Sequence, residues 1–176
     1  MIIDINTLIA WGGAYKKLVA GEVIFSEGED CYYYYQLVSG SVRWVNIDDE
    51  GKEYIQTIIE PGECFGELPI FDDCEYAASA IADEESLVIR IRKETFLQLI
   101  KENPSIHFAF TKLLVKRLRF KFLLLKSIAY HAPELRISSL LKYLKKENKN
   151  LYNSGYCRED FQTFKNSFIP FLNGFS

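Results

Sequence analysis

The chain contains 176 residues, of which 48% are hydrophobic, 15% aromatic and 26% charged, and its formal net charge is −3. This length suits one domain with a small addition, and the apolar content excludes an intrinsically disordered protein. The sequence has no apolar run of the roughly 20 residues that a membrane span needs, no basic signal-peptide start and no CxxC pair among its four cysteines. We therefore expect a cytoplasmic protein with reduced thiols, no membrane partner and no zinc site.

The charge is divided between two regions of the chain. Residues 1–100 contain 7 Lys and Arg against 19 Asp and Glu, whereas residues 101–149 contain 12 against 3. Two interpretations stay open: the two halves neutralise each other, or the basic half faces nucleic acid.

The first hundred residues have the pattern of short strands separated by turns. Before them, residues 4–15 predict a short helix that Gly12 and Gly13 end. β-Branched and aromatic residues predict strands over residues 23–25, 32–39, 42–47, 54–59, 77–82 and 87–91. Strands this short and evenly spaced predict a closed or sandwiched antiparallel β structure.

After Lys93 the pattern changes to helix. Phe96, Leu97 and Ile100 share one helix face, and Asn103 is a predicted N-cap with Pro104 in the first helical position. A long helix is then predicted to about residue 130, and another over residues 133–147.

The long helix carries an apolar stripe at steps of four, four, four and three residues. The stripe consists of Phe110, Leu114, Leu118, Phe122 and Leu125. Because further apolar residues lie off this stripe, the helix is expected to be covered on a second side by a partner chain. Its basic residues have three interpretations: a solvated rim of a dimer helix, a DNA contact, or a membrane-surface face. They are Lys112, Lys116, Arg117, Arg119, Lys121 and Lys126.

Glycine-containing motifs follow one another in a fixed order through the first half. They are GEVIF at 21–25, EGE at 27–29, VSGSV at 38–42, GKE at 51–53, PGE at 61–63 and FGEL at 65–68. This set resembles cyclic nucleotide-binding domains, and residues 19–146 resemble the Crp/Fnr class of bacterial transcription regulators.

The resemblance implies an α+β fold: a double-stranded β-helix (β-roll or jelly roll), then a long dimerisation helix, then a winged-helix DNA-binding domain. On this basis residues 1–103 form a sensor domain with an N-terminal helix and residues 104–130 the dimerisation helix. Residues 131–176 are then a truncated or degenerate winged-helix domain.

The FGEL motif resembles the core of the family's phosphate-binding cassette. A glycine-rich turn before a short helix exposes backbone N–H groups that can hold an anion. The resemblance implies that Glu67 accepts a hydrogen bond from a ribose hydroxyl; alternatively, Gly66 only permits a tight turn and Glu67 caps the helix. The candidate ligand residues are Gly66, Glu67, Leu68, Tyr76 and Ala77.

One departure from the family pattern concerns the ligand's charge. Cyclic AMP-binding relatives have an Arg-Ser/Thr-Ala triplet where this chain has Tyr76-Ala77-Ala78, and no Lys or Arg lies between Lys52 and Arg90. The cassette is acidic instead, with Glu67, Asp72, Asp73 and Glu75. Removing one partner of a buried charge pair costs about 3–5 kcal/mol. We therefore expect no cAMP or cGMP cofactor, and either a vestigial pocket or a less anionic, unidentified ligand.

The C-terminal segment lacks a recognisable DNA-reading helix. After Lys149 the only basic residues are Arg158 and Lys165, and Pro170 and Gly174 interrupt the end. A recognition helix needs base-reading side chains and positive charge, so the DNA-binding residues stay unknown and a truncated or frameshifted product is one hypothesis.

Other chemistry finds little support in the sequence. His107 and His131 lack metal-binding spacing, and no catalytic motif occurs. Cys64 and Cys74 are interpreted as small buried apolar residues, with oxidation sensing as the alternative. The favoured function is a homodimeric, non-enzymatic Crp/Fnr-like transcription regulator without a cAMP response. The alternative is a ligand-sensing or interaction module that does not bind DNA.

Overall fold

In the computed structural model, which describes residues 2–129, the β-rich part consists of two four-stranded antiparallel sheets. The strands are β1 (Ala14–Leu18), β2 (Val23–Phe25), β3 (Tyr33–Ser39), β4 (Val42–Ile47), β5 (Glu53–Ile59), β6 (Cys64–Phe65), β7 (Ser79–Ala82) and β8 (Ser86–Arg92). The helices are α1 (Ile5–Ala10), α2 (Leu68–Asp72), α3 (Lys93–Glu102) and α4 (Pro104–Ala129).

The two sheets have the strand orders β1-β8-β3-β6 and β2-β7-β4-β5. The predicted β-roll architecture followed by a long helix is confirmed, with two facing sheets rather than a closed barrel. All six predicted strands are present, with ends that agree to within two residues. The two-residue strand β6 was not predicted, because two residues are too few to show a periodicity.

The N-terminal prediction was wrong in extent. The helix expected over residues 4–15 spans only Ile5–Ala10, capped by the Asp4 carboxylate, which accepts the N–H groups of Asn6 and Thr7. Gly12 has φ = +84° and ends the helix. The chain then enters β1, which pairs with β8. Strand pairing, a long-range contact, thus determined the structure of residues 14–18.

Strand β3 is buried on both of its faces. The Tyr34 ring stacks on Phe96 of α3, with ring centroids 4.2 Å apart, and the Tyr35 ring stacks on Phe65 at 5.4 Å. Both tyrosines are buried. The alternating burial expected of a half-exposed strand is therefore absent, since α3 covers one face and Phe65 of β6 packs on the other.

A buried glutamine attaches the N-terminal segment to β3. The Gln36 side chain donates to the carbonyl of Ile3 (2.9 Å) and accepts from the N–H of Ile3 (3.3 Å). The Tyr34 hydroxyl donates to the same Gln36 oxygen at 2.9 Å. Residues 33 positions apart in sequence are joined in this way.

Helix α3 buries the predicted face, and its C-terminus is closed by Asn103. Phe96 and Ile100 are buried, whereas Leu97 is half-buried. The Asn103 amide donates to the carbonyl of Leu99 (2.8 Å), while the Asn103 main-chain carbonyl accepts from the start of α4. The residue predicted as an N-cap therefore places its amide on the preceding helix.

Residues up to His107 form one compact unit, and α4 from Phe108 onward belongs to a second. The predicted long helix is confirmed. Of its stripe, Phe110 is buried and Leu114 half-buried, whereas 57–63% of Leu118, Phe122 and Leu125 is exposed in the single chain. No helix among residues 2–129 is long and apolar enough to cross a membrane. The predicted helix 133–147 and the DNA-binding segment, with His131, Arg158 and Lys165, lie outside the described residues.

Replacing Gln36 with alanine should lower the free energy of unfolding by about 1–3 kcal/mol, because both main-chain groups of Ile3 lose their partner in a buried site. Gln98→Ala is the matched control, since Gln98 is exposed and bonds only to Glu102 within its own helix. The control should change stability by less than about 0.5 kcal/mol. Urea denaturation followed by tryptophan fluorescence measures both, and equal effects would contradict the anchoring role.

Candidate ligand site

The segment that resembles a phosphate-binding cassette joins β6 to α2. Gly66 and Glu67 are buried, whereas Leu68, the first residue of α2, is 45% exposed. Pro69 occupies the first turn of the five-residue helix and lacks an N–H group. The segment therefore offers an anion fewer backbone N–H donors than the glycine-rich turn and helix start were predicted to provide.

Gly66 is required by the aromatic rings that pack against it. Its φ of +69° suits glycine, and a Cβ there would lie 2.9 Å from Cε1 of Phe25 and 3.1 Å from Cε1 of Tyr76. A side chain would therefore collide with both rings as well as strain the backbone. The structure thus brings Gly66 and Tyr76 into contact.

Tyr76 occupies the position at which the resemblance places a phosphate-pairing arginine. Its ring stacks on Phe25 with centroids 3.7 Å apart and an interplanar angle of 10°. Its hydroxyl donates to the sulfur of Cys31 at 3.3 Å, and only 4% of the residue is exposed. Burial, and then the hydrogen bond with Cys31, raise the pKa of the Tyr76 phenol well above its ordinary value. The side chain therefore stays neutral at physiological pH.

Two main-chain hydrogen bonds fix Tyr76 against the turn after β2. The N–H of Tyr76 donates to the carbonyl of Glu29 (3.0 Å), and the N–H of Gly28 donates to the carbonyl of Tyr76 (2.9 Å). Ala77, the next residue, is exposed. Of the five candidate residues, Leu68 and Ala77 thus lie at the surface and the other three are buried.

Glu67 is 1% exposed and stands at the N-cap position of α2. Its main-chain carbonyl accepts the N–H of Ile70 at 3.1 Å, but its carboxylate makes no capping hydrogen bond. Glu67 is therefore a capping residue through its backbone alone. Its side chain is buried, and the interpretation of that carboxylate as a ribose-binding group stays a prediction.

Two cations that the linear spacing did not indicate lie near the candidate residues: Lys93 contacts the segment itself, and Arg90 lines a groove together with Tyr76. The Lys93 ammonium donates to the carbonyl of Pro69 (2.9 Å) and to the carboxylate of Asp73 (2.7 Å). The Asp73 hydrogen bond raises the pKa of Lys93. The Arg90 guanidinium lies over the Tyr33 ring, 4.6 Å from its centroid. Both cations come from β8 and α3, which follow the motif in sequence, so only the fold shows their position.

The cysteines differ in exposure. Cys31 and Cys64 are buried, which confirms the packing interpretation of Cys64. Cys74 is exposed, and its sulfur donates to the carbonyl of Asp72 at 3.5 Å. The prediction of a buried Cys74 was wrong because the residue follows α2 in a surface turn. Among residues 2–129, no group of His, Cys, Asp and Glu is placed to hold a metal ion.

Several known proteins with similar sequences are bacterial transcription regulators. A cyclic AMP receptor protein of Thermus thermophilus is 32% identical over 126 residues, which are 71% of this chain and 58% of that protein. The cAMP-activated global transcriptional regulator of Haemophilus influenzae is 31% identical over 132 residues, 74% of this chain and 59% of that protein. The chain thus spans less than two thirds of the length of these relatives.

Solved structures agree with the sequence comparison. The crystal structure of the catabolite activator protein of Thermus thermophilus matches with a TM-score of 0.64 at 29% identity, over 72% of this chain and 61% of that one. The sensor domain of the transcriptional regulator DNR from Pseudomonas aeruginosa matches with a TM-score of 0.57 at 25% identity, over 72% of this chain and 81% of that one.

The sequence profile of the cyclic nucleotide-binding domain matches residues 15–103, from the first strand to the end of α3. This range is just over half of the chain and contains every motif on which the resemblance depended. The protein therefore belongs to the cyclic nucleotide-binding domain family.

Proposed function

We propose that this chain is a Crp/Fnr-like transcription regulator whose β-roll responds to a signal other than cAMP or cGMP. The similarity to two bacterial transcription regulators supports the regulatory part, and action on DNA in the cytoplasm is part of this proposal. The stack of Tyr76 on Phe25 supports the departure from cyclic nucleotides.

The physical argument concerns the charge of a cyclic phosphate. A buried phosphodiester keeps its negative charge, so it needs a cation or several strong donors to offset its desolvation. The Tyr76 hydroxyl already donates to Cys31. Lys93 bonds to Asp73 and to the carbonyl of Pro69. Neither group offers a free positive charge to a ligand at Gly66 and Glu67, and Arg90 lies in a groove that these two residues do not line.

The exposed part of the α4 stripe supports a homodimer. Leu118, Phe122 and Leu125 are each more than half exposed in the single chain, and an apolar helix face of this kind is stabilised by a second helix. The basic residues Lys112, Lys116 and Lys121 of the same helix are exposed. Their positions fit the predicted solvated rim of a dimer helix.

Leu118→Glu should shift the chain from dimer to monomer, because a carboxylate in the apolar seam would be desolvated without a partner. Lys116→Ala is a matched control that also lowers the net charge by one but lies off the stripe. Sedimentation equilibrium over a range of concentrations measures the dissociation constant. A monomeric parent chain, or equal effects of the two substitutions, would contradict the dimer helix.

Calorimetry with the full chain should show no binding of cAMP or cGMP, since a buried phosphate without a cation loses about 3–5 kcal/mol, or more than a hundredfold in affinity. A nucleotide-binding relative, such as the cyclic AMP receptor protein of Thermus thermophilus, is the positive control. Saturable binding of either nucleotide to this chain would overturn the interpretation of Tyr76.

Gel-shift titration with DNA from the gene's own upstream region tests the regulatory function. We expect retardation at a protein concentration roughly 1,000-fold below that needed for unrelated DNA, at one stated salt concentration. Leu118→Glu should weaken this binding, whereas Lys116→Ala should weaken specific and unrelated DNA equally or not at all. Equal binding to both DNAs would favour the alternative, a sensing module that does not read DNA.

A further inference from the structure

A groove of about 540 Å³ opens on the β-roll next to Tyr76, among the turn after β2, strand β3 and strand β8. This volume lies within the range of about 300–1,000 Å³ that is typical of small-molecule sites. Of the five candidate ligand residues, Tyr76 lines the groove, whereas Gly66, Glu67, Leu68 and Ala77 do not, so the groove lies beside the FGEL turn. Five aromatic side chains form much of its wall: Phe25, Tyr32, Tyr33, Tyr35 and Tyr76.

Among the described residues that line the groove, Arg90 carries the one positive charge. Its guanidinium lies over the ring of Tyr33, and its Cα is the cross-strand partner of Tyr35. Burial raises the pKa of the Tyr35 phenol, and Arg90 beside that hydroxyl offsets part of the rise. Among residues 2–129, the ion pairs engage Lys16, Arg43 and Lys93 but not Arg90. A half-buried guanidinium thus faces the groove without a carboxylate on it.

Three carboxylates stand at the exposed rim of the same groove. Glu29 accepts the N–H of Ser26 (3.0 Å), Asp30 accepts the hydroxyl of Tyr32 (3.2 Å), and Glu75 is exposed. A simple anion would meet Arg90 but would be repelled by this rim, and a simple cation would meet the rim but be repelled by Arg90. A molecule that carries both charges satisfies both parts of the groove.

We propose that this groove binds an aromatic α-amino acid in its zwitterionic form. The ligand carboxylate pairs with Arg90, the ammonium group faces the carboxylates of the rim, and the ring packs against the tyrosine walls. Such a ligand would be the signal of the regulator proposed above, but its binding requires no DNA and no contact with Gly66 or Glu67.

Calorimetry of the full chain with L-phenylalanine, phenylacetate and phenethylamine tests the proposal, since the last two compounds each lack one of the charges. We expect L-phenylalanine to bind, and each analogue to bind at least about tenfold more weakly. Arg90→Gln should weaken L-phenylalanine binding by at least about tenfold, and Glu75→Gln by severalfold. Lys17→Gln, an exposed substitution on β1 outside the groove, should leave binding unchanged.

Three results would overturn the proposal: no heat from L-phenylalanine at millimolar concentration, equal binding of phenylacetate, or unchanged binding in Arg90→Gln. Thermal unfolding shows whether Arg90→Gln folds. If it does not, the two analogues and the exposed variant Glu75→Gln still test the proposal. Loss of DNA binding, or saturable binding of cAMP, would contradict the proposed function. Neither result would change what the L-phenylalanine titration shows about the groove.

Discussion

The stacked rings of Phe25 and Tyr76 limit which side chains and ligands the β-roll can accommodate beside Gly66. Their centroids lie 3.7 Å apart, and the pair fits against Gly66 because that residue has no Cβ. The stack joins three separate segments: strand β2, the turn into α2 and the stretch before β7. An aromatic pair contributes about 0.5–1.5 kcal/mol beyond its area burial. A charged side chain in place of Tyr76 would lose this contact and would carry its own cost of desolvation.

The stack also separates two parts of the domain: the segment that resembles the phosphate-binding cassette, and the groove beside Arg90. On the cassette side, the hydroxyl of Tyr76 bonds to Cys31 and Lys93 holds Asp73, so the polar groups there satisfy one another. On the groove side, the same tyrosine forms a wall beside Arg90. The guanidinium that we propose for ligand binding, that of Arg90, lies in this groove, which Gly66 and Glu67 do not line. The position of this positive charge is the physical basis of both proposals.

The separation of charge along the chain corresponds to the two units of the fold. The acidic first hundred residues form the β-roll, and the basic residues that follow lie largely on α4 and beyond it. Acidic side chains in the roll serve local purposes: Asp48 accepts two N–H groups in its hairpin turn, and Glu53 and Asp83 pair with Arg43. Exposed apolar residues alternate with lysines on α4, which is the distribution expected for a helix–helix seam with a solvated rim.

The amino-acid sequence alone determined the periodic and local features of this protein. Alternating β-rich segments predicted six strands, the apolar stripe predicted α4, and the ordered glycine motifs predicted the family. Local chemistry is sufficient to predict these features, because turns and amphipathic faces depend on residues that are close in the sequence.

Only the tertiary structure decided the features that depend on distant partners. Residues 14–18 became a strand because β8 provides a pairing edge, and Gln36 found its partner in Ile3. Arg90 and Tyr76 line one groove although 13 residues of chain lie between them. Strand pairing and packing bring such groups together through contacts that no local pattern encodes, and the charge and shape of a binding site arise from those contacts.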